Sequence, residues 1–408
     1  MIEAHDKQVL RELARQVAEV AHMPIMQTRR AMWVRHNRLE RGRPLILVFP
    51  EGSWRELLPD AALSCVDEEA RRIEWDLRAR LYSHAHIHDD KPVEARWGVA
   101  RAIRDSGWGL EPQRRPSPEP NGAWAFVPVI KSRADLDRLH FPEISEDGAE
   151  TARLVDQAHE LFDGILDISV KGVAHISFHL MSIYVHLRGL EQVMWDMYDE
   201  PAMLHAAMAF LEEGSRRRVQ QYRDLGLLSL NNDETYHSSG GVGYSDELPL
   251  PDCDPQNVRP CDMWASAEAQ EMAQVSPGMH AEFILQYEKR LLEPFGLNGY
   301  GCCEDLTDKL PDVLTIPRLR RISIAPSADV ARCAEQIGSR AILSWKPQPS
   351  HLVGGFAPEF VCEYIRHALD ASRDCVFEMI LKDTHTCEHH PERFTMWTDL
   401  AQRLVAQY

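Results

Sequence analysis

The chain has 408 residues, of which 44% are apolar, and a formal net charge of -18. This composition predicts a globular protein with a large core and excludes intrinsic disorder. The acidic balance argues against nucleic acid and against an anionic membrane as partners, because both reward clustered Lys and Arg.

The segment up to about residue 40 predicts helices, since LRELARQVAEVAHM places apolar residues at three- and four-residue spacing. The start, MIEAHDKQVL, lacks the apolar stretch of a secretory signal, and no run of about 18 apolar residues predicts a membrane span. The nine scattered cysteines lack the dense spacing of a secreted disulfide framework. We therefore expect a cytoplasmic protein with free thiols.

From residue 44 onwards, short apolar runs alternate with helical patterns. The segment 44–54 predicts a buried strand and a polar loop, and 67–87 predicts a helix. The Pro- and Gly-rich stretch 107–124 predicts a surface loop, followed by a strand at 124–130. The later predictions are helix 148–162, strand 165–172, helices 188–198 and 200–224, strand 225–233, helices 265–275 and 277–293, strands 295–303, 319–326, 339–347 and 375–383, and a last helix at 391–407.

Strands that alternate with helices of about 10–20 residues predict parallel βαβ units. No G-x-G-x-x-G follows the first strand, which favours a closed barrel over a doubly wound sheet. We therefore predict an α/β fold with a single (β/α)8 TIM-type barrel over residues 41–408. An N-terminal helical extension over residues 1–40 precedes it.

Chemistry in such a barrel is found at the C-terminal ends of the strands. The segment Tyr300-Gly301-Cys302-Cys303-Glu304 is the sharpest such strand end. If the strand is still regular there, Tyr300, Cys302 and Glu304 share one side. Thiolate, imidazole and carboxylate groups suit zinc, and a catalytic zinc needs about three protein ligands. The candidate metal ligands are Cys302, Cys303, His237, His385 and Cys387. The alternatives are that both cysteines are small buried hydrophobes, or that one is a nucleophile.

The polar, glycine-rich loop 231–249 follows a predicted strand and is typical of a lid or a ligand loop, with a solvated connector as the alternative. Lys346 follows Trp345 at another strand end. There it would either bind an anionic group or pair with a carboxylate.

Five segments bear on the family: SSGGVGYSDELP (238–249), the run 276–306 that includes GLNGYGCCEDL, LRRISIAPSADV (319–330), LSWKPQPS (343–350) and LKDTHTCEHHPERF (381–394). With them, most of residues 40–406 resembles the uroporphyrinogen decarboxylase superfamily. The resemblance is to its branch of decarboxylase-like proteins and corrinoid-dependent methyltransferases, which includes O-demethylase methyltransferases. The region 28–44 contains arginines but lacks the motif with which true decarboxylases of the family grip substrate carboxylates.

In the corrinoid-linked members, a His-x-Cys pair and a later Cys bind zinc. Tyr300-Gly301-Cys302 falls on the His-x-Cys place, so the resemblance implies that the Cys is kept and the His is replaced by Tyr. The last strand ends in Lys382-Asp383-Thr384-His385, with Cys387 shortly after it. A zinc site would then need a replacement ligand, for which Glu234, His237, His385 and Cys387 are candidates.

The resemblance implies methyl transfer from a small methoxylated aromatic compound to a corrinoid protein, which is an O-demethylation. A Lewis-acid zinc or a general acid would stabilise the departing phenolate. No D-x-H-x-x-G segment is present, so the corrinoid (cobalamin) would be supplied by a partner protein. The catalytic candidates are Glu234, Tyr300, Glu304 and Asp383. The substrate-binding candidates are Trp54, Asn232, His237, Trp345 and Lys346.

Two other functions fit the residues. A decarboxylase-like lyase would grip a small carboxylic acid with arginines or Lys346 and would move the proton with Asp233 or Asp383. A non-catalytic scaffold would bind a corrinoid or another tetrapyrrole without turnover. A homo-oligomer is compatible with the sequence, which does not define the oligomeric state.

Overall fold

A computed structural model describes residues 2–118, 125–237 and 240–408 of this mixed α/β protein. The strands are β1 Leu45–Val48, β2 Arg96–Ala100, β3 Ile103–Asp105, β4 Gln113–Arg115, β5 Ala125–Val127, β6 Ile144–Glu146, β7 Asp167–Lys171, β8 Ser177–Phe178, β9 Trp264–Ala267, β10 Leu297–Tyr300, β11 Leu319–Ile324, β12 Ile342–Trp345 and β13 Val376–Leu381. The helices are α1 Ala4–Ala21, α2 Pro24–Asn37, α3 Trp54–Leu57, α4 Glu68–His86, α5 Gly148–Phe162, α6 Leu180–Arg188, α7 Leu190–Asp199, α8 Pro201–Asp224, α9 Pro277–His280, α10 Gln286–Leu292, α11 Leu310–Val313, α12 Val330–Ile337, α13 Pro358–Ala371 and α14 Glu392–Val405.

Seven strands form one parallel sheet in the order β1-β13-β12-β11-β10-β9-β8. The strands β2 and β7 pair in parallel as a separate ribbon, whereas β3–β6 and β4–β5 are antiparallel. Among the residues that the structure describes, no ladder of hydrogen bonds joins β8 back to β1. The structure thus gives a parallel α/β sheet of seven strands, where eight strands in a closed barrel were predicted.

Carboxylates take the place of a neighbouring strand along the free edge of β1. Asp90 Oδ2 accepts the N–H of Ile46 at 2.9 Å, and Asp89 Oδ2 accepts the N–H of Val48 at 3.0 Å. The N–H of Asp90 donates in turn to the Ile46 carbonyl at 2.9 Å. These bonds satisfy the edge donors of β1 without a ladder, which explains why the sheet ends there.

Most of the predicted elements are confirmed. The predicted helices that the structure contains are α1, α2, α4, α5, α7, α8, α14 and the helical run from α9 to α10, which a π-helical turn at Ala281–Leu285 joins. The predicted strands that it contains are β1, β5, β7, β10, β11, β12 and β13. The predicted loop 107–124 includes β4, and its residues 119–124 lie outside the described ranges.

The helix predicted at 265–275 is wrong. The segment contains most of β9 and one 3-10 turn at Gln270–Met272. Its alanines favour a helix locally, but β9 pairs with β10 on one side and with β8 on the other. Pairing and burial in the sheet therefore override the local preference.

The strand predicted at 225–233 is also wrong, since the described structure has only an isolated bridge between Val173 and Leu228 there. The Asn231 side chain makes the bonds that a ladder would make. Its Nδ2 donates to the Trp264 carbonyl at 2.9 Å, and its Oδ1 accepts the N–H of Trp264 at 2.9 Å.

The two faces of the seven-stranded sheet pack against different partners. Ile46 and Val48 belong to the large core that also contains the helices α6–α14, whereas Leu45 and Leu47 pack with Trp33 and with the chain around residue 242. A smaller core joins α1, α4 and α5 to the ribbon of β2 and β7. None of the described helices combines the length and the apolar character that crossing a bilayer requires.

The loop that follows Asn231 is packed inside the fold, because its glycines allow a close approach. A Cβ atom at Gly241 would lie 2.4 Å from the Trp33 ring and 2.8 Å from Arg321 Nη2. We predict that Gly241→Ala lowers the free energy of unfolding by about 1–3 kcal/mol through overpacking. Urea denaturation measures this effect, with Gly42→Ala as the matched control because nothing lies within 4 Å of its added Cβ. Equal stability of the two variants would contradict the packing argument.

Candidate active site at the strand ends

Titratable side chains follow six of the seven strands at the carboxyl edge of the sheet. They are Glu51, His179, Glu268, Cys302, Lys346 and Lys382. Because the strands are parallel, these chain segments leave the sheet at the same edge, where barrel and open-sheet enzymes place their chemistry. We call this set the strand-end site.

The regular strand β10 ends at Tyr300, so strand alternation does not extend to Cys302. Gly301 has φ +95°, and a Cβ atom there would lie 2.4 Å from the Ser323 carbonyl oxygen, so the turn requires glycine. Beyond this turn, the sulfur atoms of Cys302 and Cys303 lie 3.5 Å apart, and Cys303 Sγ lies 3.8 Å from Asp383 Oδ2. Both thiols therefore belong to the strand-end site.

The turn at residues 301–303, which we call the cysteine turn, is stabilised by Glu304, and this side chain is fully buried. Its Oε2 accepts the N–H of Cys302 at 2.9 Å, and its Oε1 accepts the N–H of Ala269 at 3.2 Å. Burial and the negative charge of Glu268 raise the pKa of Glu304 to about 7. Its contacts favour a role in holding the β9 and β10 ends together, while its predicted catalytic role stays a prediction.

His179 and Glu268 form a pair at the ends of β8 and β9. His179 Nδ1 is hydrogen-bonded to Glu268 Oε1, and the other carboxylate oxygen accepts the N–H of Gln270 at 3.0 Å. Burial lowers the pKa of His179, but the bond to Glu268 and the surrounding negative charges outweigh it, so that the pKa is raised overall. The His179 side chain remains 43% exposed. A half-exposed imidazole whose pKa is raised by its carboxylate partner is therefore held at this edge.

Two lysines complete the strand-end site. Lys346 is buried, and its Nζ donates to the Cys302 carbonyl at 2.7 Å, while burial lowers its pKa. Lys382 Nζ lies 3.8 Å from Glu51 and 3.7 Å from Asp383. Burial lowers the pKa of Lys382, but the charges of Cys302 and of these carboxylates outweigh it and raise the pKa overall. Lys346 therefore supports the cysteine turn, and Lys382 is the more accessible cation.

Tyr300 packs on the face of the sheet that the helices cover, and it lies outside the strand-end site. Its hydroxyl donates to Glu288 Oε2 of α10 at 3.0 Å and lies 2.9 Å from Nε2 of His280. Burial and the charge of Glu288 raise the pKa of Tyr300 well above its ordinary value. This contact set joins β10 to α10, and the geometry does not bring the phenol to the cysteines.

His237 and Asn232 lie in the packed loop rather than at the strand-end site. His237 is fully buried, its Nε2 lies 2.9 Å from the Asn231 carbonyl oxygen, and its ring stacks on Trp264 at 5.5 Å. Burial lowers its pKa to about 3. Asn232 Nδ2 donates to the Leu248 carbonyl at 2.7 Å. The loop predicted as a lid is thus largely core, and Ser238 and Ser239 within it lie outside the described residues.

The two tryptophans and Glu234 lie in two different surroundings. Trp345 is buried against Phe377 at 6.1 Å, on the face that packs against the helices. Trp54 and Glu234 both line a cavity beside α4, where Glu234 lies 3.4 Å from Arg96. If Trp54 and Glu234 have the predicted roles, they would act in that cavity and not at the cysteine turn.

The predicted zinc ligands do not converge. Cys387 is buried and donates to Glu56 Oε2 at 3.0 Å, and His385 is exposed two residues earlier. Over residues 2–118, 125–237 and 240–408, no three His, Cys, Asp or Glu side chains form a group that would hold a metal ion. The donors present do not fit a three-ligand zinc site, so we derive no step through zinc.

Sequence reasoning missed His179 and Glu268. The signal was available, because each is the first titratable residue after a strand end. It was hidden because β8 has only two residues and β9 was interpreted as the start of a helix.

No family profile matches the chain, and no curated protein sequence is significantly similar to it. Among solved structures, a methyltransferase from Methanosarcina mazei is similar, with a TM-score of 0.47 and 12% identity. The match covers 93% of this chain and 98% of that one. At this TM-score and identity we draw no conclusion about activity from it.

Proposed function

We propose that the chain is a methyltransferase that demethylates a small methoxylated aromatic compound and passes the methyl group to a corrinoid protein. The His179–Glu268 pair supports this proposal most strongly. An aryl ether has a poor leaving group, so cleavage requires a positioned acid at the ether oxygen. A half-exposed imidazole whose pKa Glu268 raises above its ordinary value would supply such an acid.

The proposed reaction transfers a methyl group to the corrinoid and a proton to the phenolate. The O–CH3 bond breaks, the methyl group passes to the reduced corrinoid, which supplies the electron pair, and the proton of His179 goes to the phenolate oxygen. Glu268 would hold the imidazole in orientation and stabilise its cationic form. Solvent would then reprotonate His179 for the next turnover.

We also propose that the fold is a closed (β/α)8 barrel. The ribbon of β2 and β7 and the bridge from Val173 to Leu228 lie in chain order between β1 and β9. These segments would fill the open side of the sheet and enclose the strand-end site.

The experiment combines the purified chain, a panel of methoxybenzenes carrying CD3 groups, and chemically reduced cobalamin as the methyl acceptor. We expect equal amounts of free phenol and CD3-labelled corrinoid, both quantified by mass spectrometry. Metal analysis of the same sample tests the zinc expectation separately. Formation of neither product from any member of the panel would refute the methyltransferase proposal.

The lyase alternative has weaker support from the same geometry. Lys346, which would bind the substrate carboxylate of a lyase, is buried and donates to the Cys302 carbonyl. Lys382 is more accessible, but Glu51 and Asp383 already lie beside it. Release of CO2 from a small carboxylic acid without any corrinoid would favour the lyase over the methyltransferase.

A further inference from the structure

A cavity of about 610 Å3 lies beside α4, between that helix and the segment 91–98. This volume falls within the range of small-molecule sites. Its wall includes Trp54, Trp75 and Trp97 together with several charged side chains. The cavity is thus both aromatic and polar, as a site for a small aromatic ion would be.

Two of the tryptophans form one aromatic wall. The rings of Trp54 and Trp75 lie 5.5 Å apart in an edge-to-face arrangement, and Tyr82 packs against Trp54 at 5.7 Å. Each ring is fixed by its neighbour, so a flat ligand ring would meet a preformed apolar surface.

Two cations of the cavity have no carboxylate within ion-pair distance among the described residues. Arg29 Nη1 donates to the Lys91 carbonyl at 2.9 Å, and neither Arg29 nor Lys91 forms an ion pair there. By contrast, Arg80 is paired with Asp76 at 2.7 Å. The Lys91 ammonium lies over the Phe49 ring at 5.7 Å, and the charges of Lys91 and Arg29 act on the buried Asp89. An anionic ligand would therefore find two positive charges beside each other that no contact ion pair holds.

The nearby polar groups are compatible with an anion. Asp89 is buried, and its carboxylate accepts backbone N–H groups of Val48 and Lys91 at 3.0 and 3.1 Å. Its charge is thus already directed at the backbone. His84 Nδ1 is buried and has no hydrogen-bond partner among the described residues.

We propose that this cavity binds a small aromatic carboxylate, with the ring against Trp54 and Trp75 and the carboxylate against Arg29 and Lys91. The proposal does not depend on methyl transfer, because binding requires neither His179 nor a corrinoid. It assigns a chemical class of ligand to a cavity outside the strand-end site.

Isothermal titration calorimetry of the full chain with 4-methylbenzoate, which has no methoxy group and is therefore not a substrate of the proposed demethylation, tests this site. We expect saturable one-to-one binding, and binding of the neutral methyl ester at least about tenfold weaker because the charged contacts are lost. The variant Arg29→Gln/Lys91→Gln should lose a similar factor for the acid and should treat acid and ester alike. Lys91 is exposed and Arg29 is half-buried, and circular dichroism verifies that the variant is folded.

Matched controls separate the cavity from general electrostatics. Arg72→Gln removes an exposed arginine elsewhere on α4 and should leave the affinity unchanged. His179→Gln should also leave it unchanged, so that failure of the methyl transfer proposal is distinguishable from failure of this one. Equal binding of acid and ester by the unmodified chain, or full affinity in the double variant, would overturn the inference.

Discussion

Replacing His179 by Gln should reduce the rate of O-demethylation by about 10²–10⁴-fold, the usual contribution of a general acid. The side chain is accessible, and Gln keeps hydrogen-bonding capacity toward Glu268 while it removes the transferable proton. We therefore expect the variant to fold normally and to fail in chemistry, so that kcat falls more than KM rises. The CD3-transfer assay gives both constants.

The pH dependence tests the assignment independently. The acid is the imidazolium, which predominates below the pKa of His179, so the rate should fall as pH rises through a value above the ordinary 6.5. Glu268→Gln removes the carboxylate that raises this pKa. The decline should then begin at lower pH, because burial alone lowers the pKa of a histidine.

A matched control uses a second His–carboxylate pair of the same chain. His159 Nδ1 lies 2.7 Å from Asp163 on the surface of α5, away from the strand ends. His159→Gln should leave the rate and its pH profile unchanged. Full activity of His179→Gln, or an unmoved profile in Glu268→Gln, would remove His179 from the mechanism.

The cysteine turn could be located from the sequence because it depends on regular features. Apolar runs of strand length, each followed by polar residues, marked the ends of β10, β12 and β13. Parallel strands end at one edge, so Cys302, Lys346 and Asp383 were expected to meet there, and the described distances bring them together.

The loop after Asn231 shows what the sequence did not resolve. Glycine and polar residues are typical of exposed lids, but glycine also serves where backbones approach closely. A Cβ atom at Gly243 would lie 2.1 Å from the Asn231 carbonyl oxygen, so close packing is the reason for that glycine. Composition alone cannot separate these two uses, because the difference is set by contacts with distant residues such as Trp33 and Trp264.

A buried ion pair beside α2 could not be predicted from the sequence either. Arg321 of β11 and Glu378 of β13 are both fully buried, with 2.9 Å between Nε and Oε1. His36 of α2 lies 3.0 Å from the other carboxylate oxygen, and Arg321 Nη2 donates to Asn37 at 2.7 Å. The partners come from the three elements α2, β11 and β13, which only the tertiary fold brings together.

Glu378→Gln should lower the free energy of unfolding by about 3–5 kcal/mol, because it leaves the Arg321 charge buried and uncompensated. Replacing both partners, as in Arg321→Met/Glu378→Met, should cost less than the single change, since no unpaired charge remains. Urea denaturation at pH 7 measures both variants. Asp308→Asn, which breaks the exposed pair with Arg332, is the control and should change stability little.

The stability that Glu378 contributes should depend on pH. Burial would raise the pKa of Glu378, but the charge of Arg321 and the bond to His36 outweigh it and lower the pKa to about 2. A carboxylate whose pKa is depressed in the folded state stabilises the protein above its unfolded pKa of about 4.3, and this contribution is lost as pH falls toward the folded value. The stability difference between the unmodified chain and Glu378→Gln should therefore be constant from pH 7 to about 5 and should shrink below that. A difference that stays constant down to pH 3 would mean that folding does not lower the pKa of Glu378. A single variant as stable as the unmodified chain would mean that the Arg321 charge is compensated by other groups.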